Sequence, residues 1–186
     1  MNSIRSLRGQ AFKTLRRQRG ASLLEGIAYL GIAAIVVLGA VSLLTGAFSS
    51  AQSNRVAEEV ISIRTGVKKL FMGQSVGYGA DGTDLLPVVI AAKVMPTTIT
   101  VTGAGAAGVA SNSWAGAVTI ASVGGNKFSI TYAAVPVDAC INILSGASGW
   151  DSITAGGGVI SVFPAAPSDV QTKCGTAAGN ITWVSF

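Results

Sequence analysis

The chain has no histidine among its 186 residues. Imidazole is the commonest metal ligand and the usual acid–base group near neutral pH. Its absence removes most metal centres, most proton-transfer schemes and the Ser-His-Asp arrangement. Charged residues are also few, at 11% of the chain. We therefore predict a protein that is not an enzyme and has no catalytic, cofactor-binding or metal-binding residues.

Cysteine is scarce as well. Cys140 and Cys174 are the only two, and the 33 residues between them exclude a short-spaced pair of metal ligands. If this part of the chain lies outside the cytoplasm, an oxidising environment favours a disulfide between them. The alternative is two free, buried thiols.

The net charge of +5 is unevenly distributed. Residues 1–20 hold six basic residues and no acid, whereas residues 21–186 hold seven basic and eight acidic residues. A nucleic-acid-binding domain needs a basic face, which the near-neutral remainder does not provide, so no nucleic-acid partner is predicted. The basic end is typical of the cytoplasmic flank of a membrane span.

A long apolar run follows the basic end. Residues 21–48 contain one charged side chain, Glu25, and are long enough to cross a membrane as a helix. A secretory signal cleaved near Ala51 is the alternative, but the apolar part of such signals is only about 7–15 residues long. An acid inside a membrane span costs free energy and indicates a function with a specific partner.

The pattern then becomes amphipathic without a proline. Apolar residues recur at a 4-3-4-3 spacing that forms one helical stripe: Val56, Val60, Ile63, Val67 and Leu70. We therefore predict that the helix continues from about Ser22 to about Gly73. A membrane helix and a separate soluble helix, joined near Ser49, is the alternative.

The remaining residues, 75–186, predict an α+β head with an antiparallel sheet packed on the amphipathic stripe. Residues 84–93 have the pattern of a short helix, and residues 98–102, 117–123, 127–132, 159–163 and 181–186 have that of strands. Residues 137–144 fit either a helix or a strand. Ser168 is a candidate N-cap for a brief helix that ends at Cys174.

The stretch Gly20-Ala21-Ser22-Leu23-Leu24-Glu25 resembles the processing site of type IV pilins and the related pseudopilins. The resemblance implies that a prepilin peptidase cuts after Gly20 and that the new N-terminal residue, Ala21, is N-methylated. It also makes Glu25 the family's characteristic glutamate at the fifth mature position. The implied fold is the type IV pilin fold.

The resemblance also implies a partner for Glu25. Cleavage creates an α-amino group at Ala21, and opposite charges attract strongly in a medium of low dielectric constant. Glu25 of an incoming subunit would pair with the Ala21 amine of a neighbour already in the filament. This contact would set the axial register of assembly.

Two further features narrow the resemblance. A leader of 20 residues and a mature N-terminal residue other than Phe fit the type IVb branch. The cysteine pair is similar to the disulfide-bounded C-terminal region of pilins, and pseudopilins generally lack that bridge. The implied division is a leader (1–20), a transmembrane and filament-core helix (21–48), an amphipathic second half (49–74) and a globular head (75–186).

The family resemblance implies an inner-membrane precursor, with a cytoplasmic leader and a periplasmic head, that becomes part of an extracellular helical homopolymer. Its implied partners are a prepilin peptidase, an assembly ATPase, an inner-membrane platform and an outer-membrane secretin. The sequence favours a major pilin. The alternatives are a minor pilin, a pseudopilin of secretion or DNA uptake, and a signal-anchored periplasmic enzyme.

Overall fold

The computed structural model describes residues 23–103 and 105–186. Its first element, α1, is a helix of 49 residues from Leu23 to Phe71. No proline interrupts it, and Lys68 and Lys69 in its last turn complement the negative end of the helix dipole. Gly73 follows with a φ of 93°, a conformation that ends helices. The predicted single helix is therefore present over these residues, and the two-helix alternative is not.

The chain divides into two compact units, residues 1–43 and residues 44–186. In the described part of the first unit, every residue is helical and the large apolar side chains are exposed. By length and composition, α1 includes a segment able to cross a membrane, with a mean hydropathy of 2.5.

The second unit contains a seven-stranded sheet in which every neighbouring pair is antiparallel. The strand order is β1-β2-β3-β4-β7-β5-β6. The strands are β1 (Thr100–Thr102), β2 (Val109–Ser111), β3 (Ala117–Val123), β4 (Lys127–Val135), β5 (Ser152–Ala155), β6 (Gly158–Ile160) and β7 (Gly179–Ser185). The last strand thus lies inside the sheet, between β4 and β5.

The core forms between this sheet and the second half of α1. Alternate residues of β3, β4 and β7 are buried, as expected for strands with one face covered. Val56, Val60, Ile63 and Val67 of the predicted stripe are all buried, and Leu70 packs at its margin. Together they belong to one hydrophobic cluster that unites α1 with the sheet.

Three shorter helices complete the head: α2 (Leu86–Ala91), α3 (Val137–Ser145) and α4 (Pro167–Cys174). Asp84 accepts a hydrogen bond from the Leu86 amide at 2.9 Å, which fixes the start of α2. The segment before α2 extends the sheet, because the Leu85 amide donates to the carbonyl oxygen of Ile120 in β3 at 2.8 Å.

The structure corrects several predicted elements. Ser168 lies inside α4, whose N-cap is Ala166, because Pro167 already supplies a helical φ at the first position. The strand predicted over residues 159–163 ends at Ile160. The ambiguous segment around Cys140 is helix α3. The sequence patterns do not predict strands β2 and β5, because a run of three or four residues is too short to establish a period.

Candidate assembly surface and its anchors

Most of the exposed large apolar side chains of the described residues belong to α1. Of the twenty-three large apolar side chains that are exposed in the described part of the chain, fourteen lie between Leu23 and Phe48. Apolar side chains in such a number are stable only in lipid or against another protein surface. This half of the helix is therefore an interaction surface.

Glu25 lies in the first turn of α1, where its charge is favoured by the positive end of the helix dipole. Its side chain is exposed, and within residues 23–103 and 105–186 it forms no ion pair. Gly20 and Ala21, the predicted cleavage and methylation positions, lie outside the described residues.

The two cysteines are joined by a disulfide, with an S–S distance of 2.01 Å. Both are buried, and the bridge ties the first turn of α3 to the last turn of α4. It encloses β5 and β6, so the C-terminal region is a folded extension of the sheet. The open alternative of two free thiols is excluded.

A buried polar contact joins α1 to the sheet. Glu59 is only 3% exposed, and its Oε2 atom accepts a hydrogen bond from the Tyr132 hydroxyl of β4 at 3.3 Å. Burial, together with the charge and hydrogen bond of Glu59, raises the pKa of Tyr132 well above its usual value. The sequence pattern alone does not identify this pair. Its one signal was the position of Glu59, three residues after Val56 and four before Ile63, on the buried stripe.

A second anchor lies near the end of α1. The Nε atom of Arg64 donates to the Ser185 hydroxyl at 2.8 Å, and its guanidinium lies 4.6 Å from the centre of a Trp150 ring. Lys127, the first residue of β4, forms an ion pair at 2.8 Å with Asp151, which lies just before β5. Partial burial, reinforced by the charge of Arg64, lowers the pKa of Lys68. The two contacts of Arg64 hold the end of β7, and Trp150 just before β5, against α1.

A long apolar helix with a small α+β head, stapled by a C-terminal disulfide, defines the class of type IV pilins. The comparisons with known proteins agree. The family model described as PilS N terminal matches residues 50–186. The chain therefore belongs to the PilS family. No curated protein matches the chain.

Two solved structures are similar to this chain. The crystal structure of type IV b pilin from Salmonella typhi is 22% identical, with a TM-score of 0.57, and the match covers 70% of this chain and 96% of that one. The NMR structure of type IVb pilin (PilS) from Salmonella typhi is 23% identical, with a TM-score of 0.49, and the match covers 71% of this chain and 94% of that one.

These findings confirm a type IVb-like pilin and its fold. The chain is a pilin, a structural subunit and not an enzyme. The family match begins at residue 50, so the motif from Gly20 to Glu25 is an observation independent of it.

Proposed function

We propose that the chain is the major subunit of a type IVb-like pilus, made as an inner-membrane precursor and polymerised through its N-terminal helix. The observation that carries the proposal is the exposed apolar half of α1, which continues into a helix anchored in a folded head. The lipid that covers this surface in the precursor is exchanged for neighbouring subunits in the filament. An assembly ATPase and an inner-membrane platform supply the energy for polymerisation, and the filament leaves the cell through an outer-membrane secretin.

The proposal divides the chain into a leader (1–20), a core helix (21–48), an amphipathic half-helix (49–74) and a head (75–186). A prepilin peptidase removes the leader after Gly20, and Ala21 becomes N-methylated. Mass spectrometry of fibres sheared from cells tests this step. We expect a mature chain that begins with methylated Ala21. An intact Met1, or a cut after Ala51, would contradict processing as a pilin.

Glu25 is proposed to pair with the Ala21 amine of a neighbour during assembly. Two observations support this role: the side chain is exposed, and Glu25 is the one charged residue between residues 21 and 48. Glu25→Ala should leave leader cleavage largely intact but abolish filaments. Glu58→Ala, which removes another exposed acid of α1, is the matched control and should assemble normally. Filaments of normal length with Glu25→Ala would show that the pair is not needed.

The protein composition of purified fibres tests whether this chain is the major subunit. If this chain builds the shaft, it accounts for most of the mass of purified fibres. A trace amount at the tip would instead identify a minor pilin, which primes or ends the filament.

A further inference from the structure

A groove with a volume of about 250 Å³ lies along one side of α1. One wall is α1 between residues 53 and 61, and the other is the end of α3 with the connection to β5. Trp150 and Trp183 contribute to its lining but are 9% and 2% exposed. With so little ring surface free, the groove offers poor stacking for a small polar ligand such as a sugar.

Among the described residues, the lining of this groove contains no charged side chain, but it includes four polar ones: Ser53, Asn54, Asn142 and Ser148. Residues 49–186 contain seven basic and seven acidic residues, so the absence of charge is a local property of the groove. Ala57, Ile61 and Ala147 present small or apolar surface along it, and Ile61 is 55% exposed. The occupant that fits is an uncharged segment that carries apolar side chains together with a few small polar ones.

The same chain supplies such a segment. Residues 23–48 carry fourteen of the twenty-three exposed large apolar side chains of the described residues, and Glu25 is their one charged residue. The nine others are scattered over residues 61–186. We propose that the groove of one subunit receives the apolar helix, residues 23–48, of a second copy. This inference rests on the proposed assembly into a filament.

The contact is heterologous, because the groove of one copy meets the helix of another. Each copy keeps one free groove and one free helix, and contacts of this kind continue into open helical filaments when they do not close into rings. If the two helices run parallel, Ala57 of one copy lies beside a residue between 23 and 48 of the next. At 1.5 Å per residue, the axial offset between the copies is about 13–51 Å.

A photo-crosslinking amino acid at position 61 tests the contact in sheared filaments of the full chain. Ile61 lines the groove and is half exposed, so the replacement leaves the core intact. The control carries the same amino acid at Ser62, which is exposed and outside the groove. We expect position 61 to crosslink to peptides within residues 23–48 of another copy, and position 62 to do so much less. Crosslinks from position 61 to residues 49–186, or equal yields from both positions, would overturn the proposal.

A second variant fills the groove. Ala57→Trp should lower the yield of filaments roughly ten-fold or more, because blocking the buried centre of an interface weakens binding by at least that factor. Ser62→Trp should assemble normally, and an intact disulfide with unchanged head unfolding shows that Ala57→Trp still folds. Normal filaments with Ala57→Trp would refute the groove contact and leave the proposed function standing. If the wild-type chain forms no filaments, the proposed function and the groove contact fail together.

Discussion

Glu59 is the one charged side chain that is buried among the described residues. Its carboxylate is 3% exposed, and within the described residues its Oε1 atom has no hydrogen-bond partner. A buried carboxylate is stable only where neighbouring donors offset its lost hydration. Among the described residues, the Tyr132 hydroxyl is the one side-chain donor to this carboxylate, so it contributes more to stability than its single contact suggests.

Tyr132→Phe removes that donor and leaves the shape of the core unchanged. We expect the free energy of unfolding to fall by about 1–3 kcal/mol, the cost of leaving a buried acceptor unsatisfied. Urea unfolding in detergent micelles, followed by tryptophan fluorescence, measures it. Tyr78→Phe is the control, since its half-buried ring packs between Phe71 and Phe128 and should retain those contacts. Equal effects of the two substitutions would contradict the role of Tyr132.

The raised pKa of Tyr132 predicts that the protein becomes less stable at alkaline pH. Burial raises the pKa of Tyr132 in the folded protein, whereas a tyrosine of the unfolded chain titrates near pH 10. The unfolded state therefore loses this proton first, and the stability present below pH 10 declines as the pH rises above it. Unfolding measured from pH 8 to pH 11 should show this decline.

Tyr132→Phe should flatten the decline. A smaller slope remains in that variant, because burial also raises the pKa of Tyr78. An identical pH profile for the wild type and the variant would count against Tyr132 as the titrating group.

At the scale of elements, α1 and the segment after α2 approach closely at Gly66. A Cβ atom placed there would lie 1.9 Å from Cγ1 of Val94, a stiff β-branched side chain. Glycine is unfavourable in a helix by about 1 kcal/mol relative to alanine. Its presence at this position is explained by the close approach.

A change from glycine to alanine inside a helix ordinarily stabilises a protein. Gly66→Ala should instead lower the free energy of unfolding by about 1–3 kcal/mol, because the added methyl group overpacks the contact with Val94. The double variant Gly66→Ala with Val94→Ala should recover much of this loss, since it removes the colliding methyl group. A double-mutant cycle of unfolding free energies measures the coupling. If the effects of Gly66→Ala and Val94→Ala simply add, the predicted clash between the two residues is absent, and α1 can move away from the segment after α2 without cost.

At the scale of the whole molecule, the sheet depends on its last strand. Strand β7 pairs with β4 on one side and with β5 on the other, so β5 and β6 join the sheet only through it. The disulfide ties α3, which follows β4, to α4, which precedes β7. It thereby restricts the segment that carries β5 and β6.

Replacing both cysteines, Cys140→Ala with Cys174→Ala, should lower the free energy of unfolding by about 2–4 kcal/mol, because the unfolded chain loses a covalent constraint on a loop of this size. Calorimetry and urea unfolding measure the effect. The order of the sheet should persist, because the hydrogen bonds of β7 do not involve the bridge. Unchanged stability of the double variant would contradict this prediction.

The sequence predicted the long elements well. The stripe from Val56 to Leu70 is visible as a helical period in the sequence. The hairpin of β3 and β4 is visible from its turn, Gly124-Gly125-Asn126. Both signals depend only on residues that are close together in the sequence. The short strands β2 and β5 were missed because their pairing is decided by distant strands. Glu59 was missed because a carboxylate on a helical stripe is ordinarily solvated.

The sequence by itself determined the basic residues 1–20, the apolar run with its single Glu25 and the amphipathic stripe, because charge, hydropathy and helical period are local properties of the chain. Only the tertiary structure decided that β7 lies between β4 and β5, that Tyr132 meets Glu59 and that an uncharged groove opens beside α1. Each of these joins residues far apart in the sequence, and their contact depends on how the whole sheet packs against the helix.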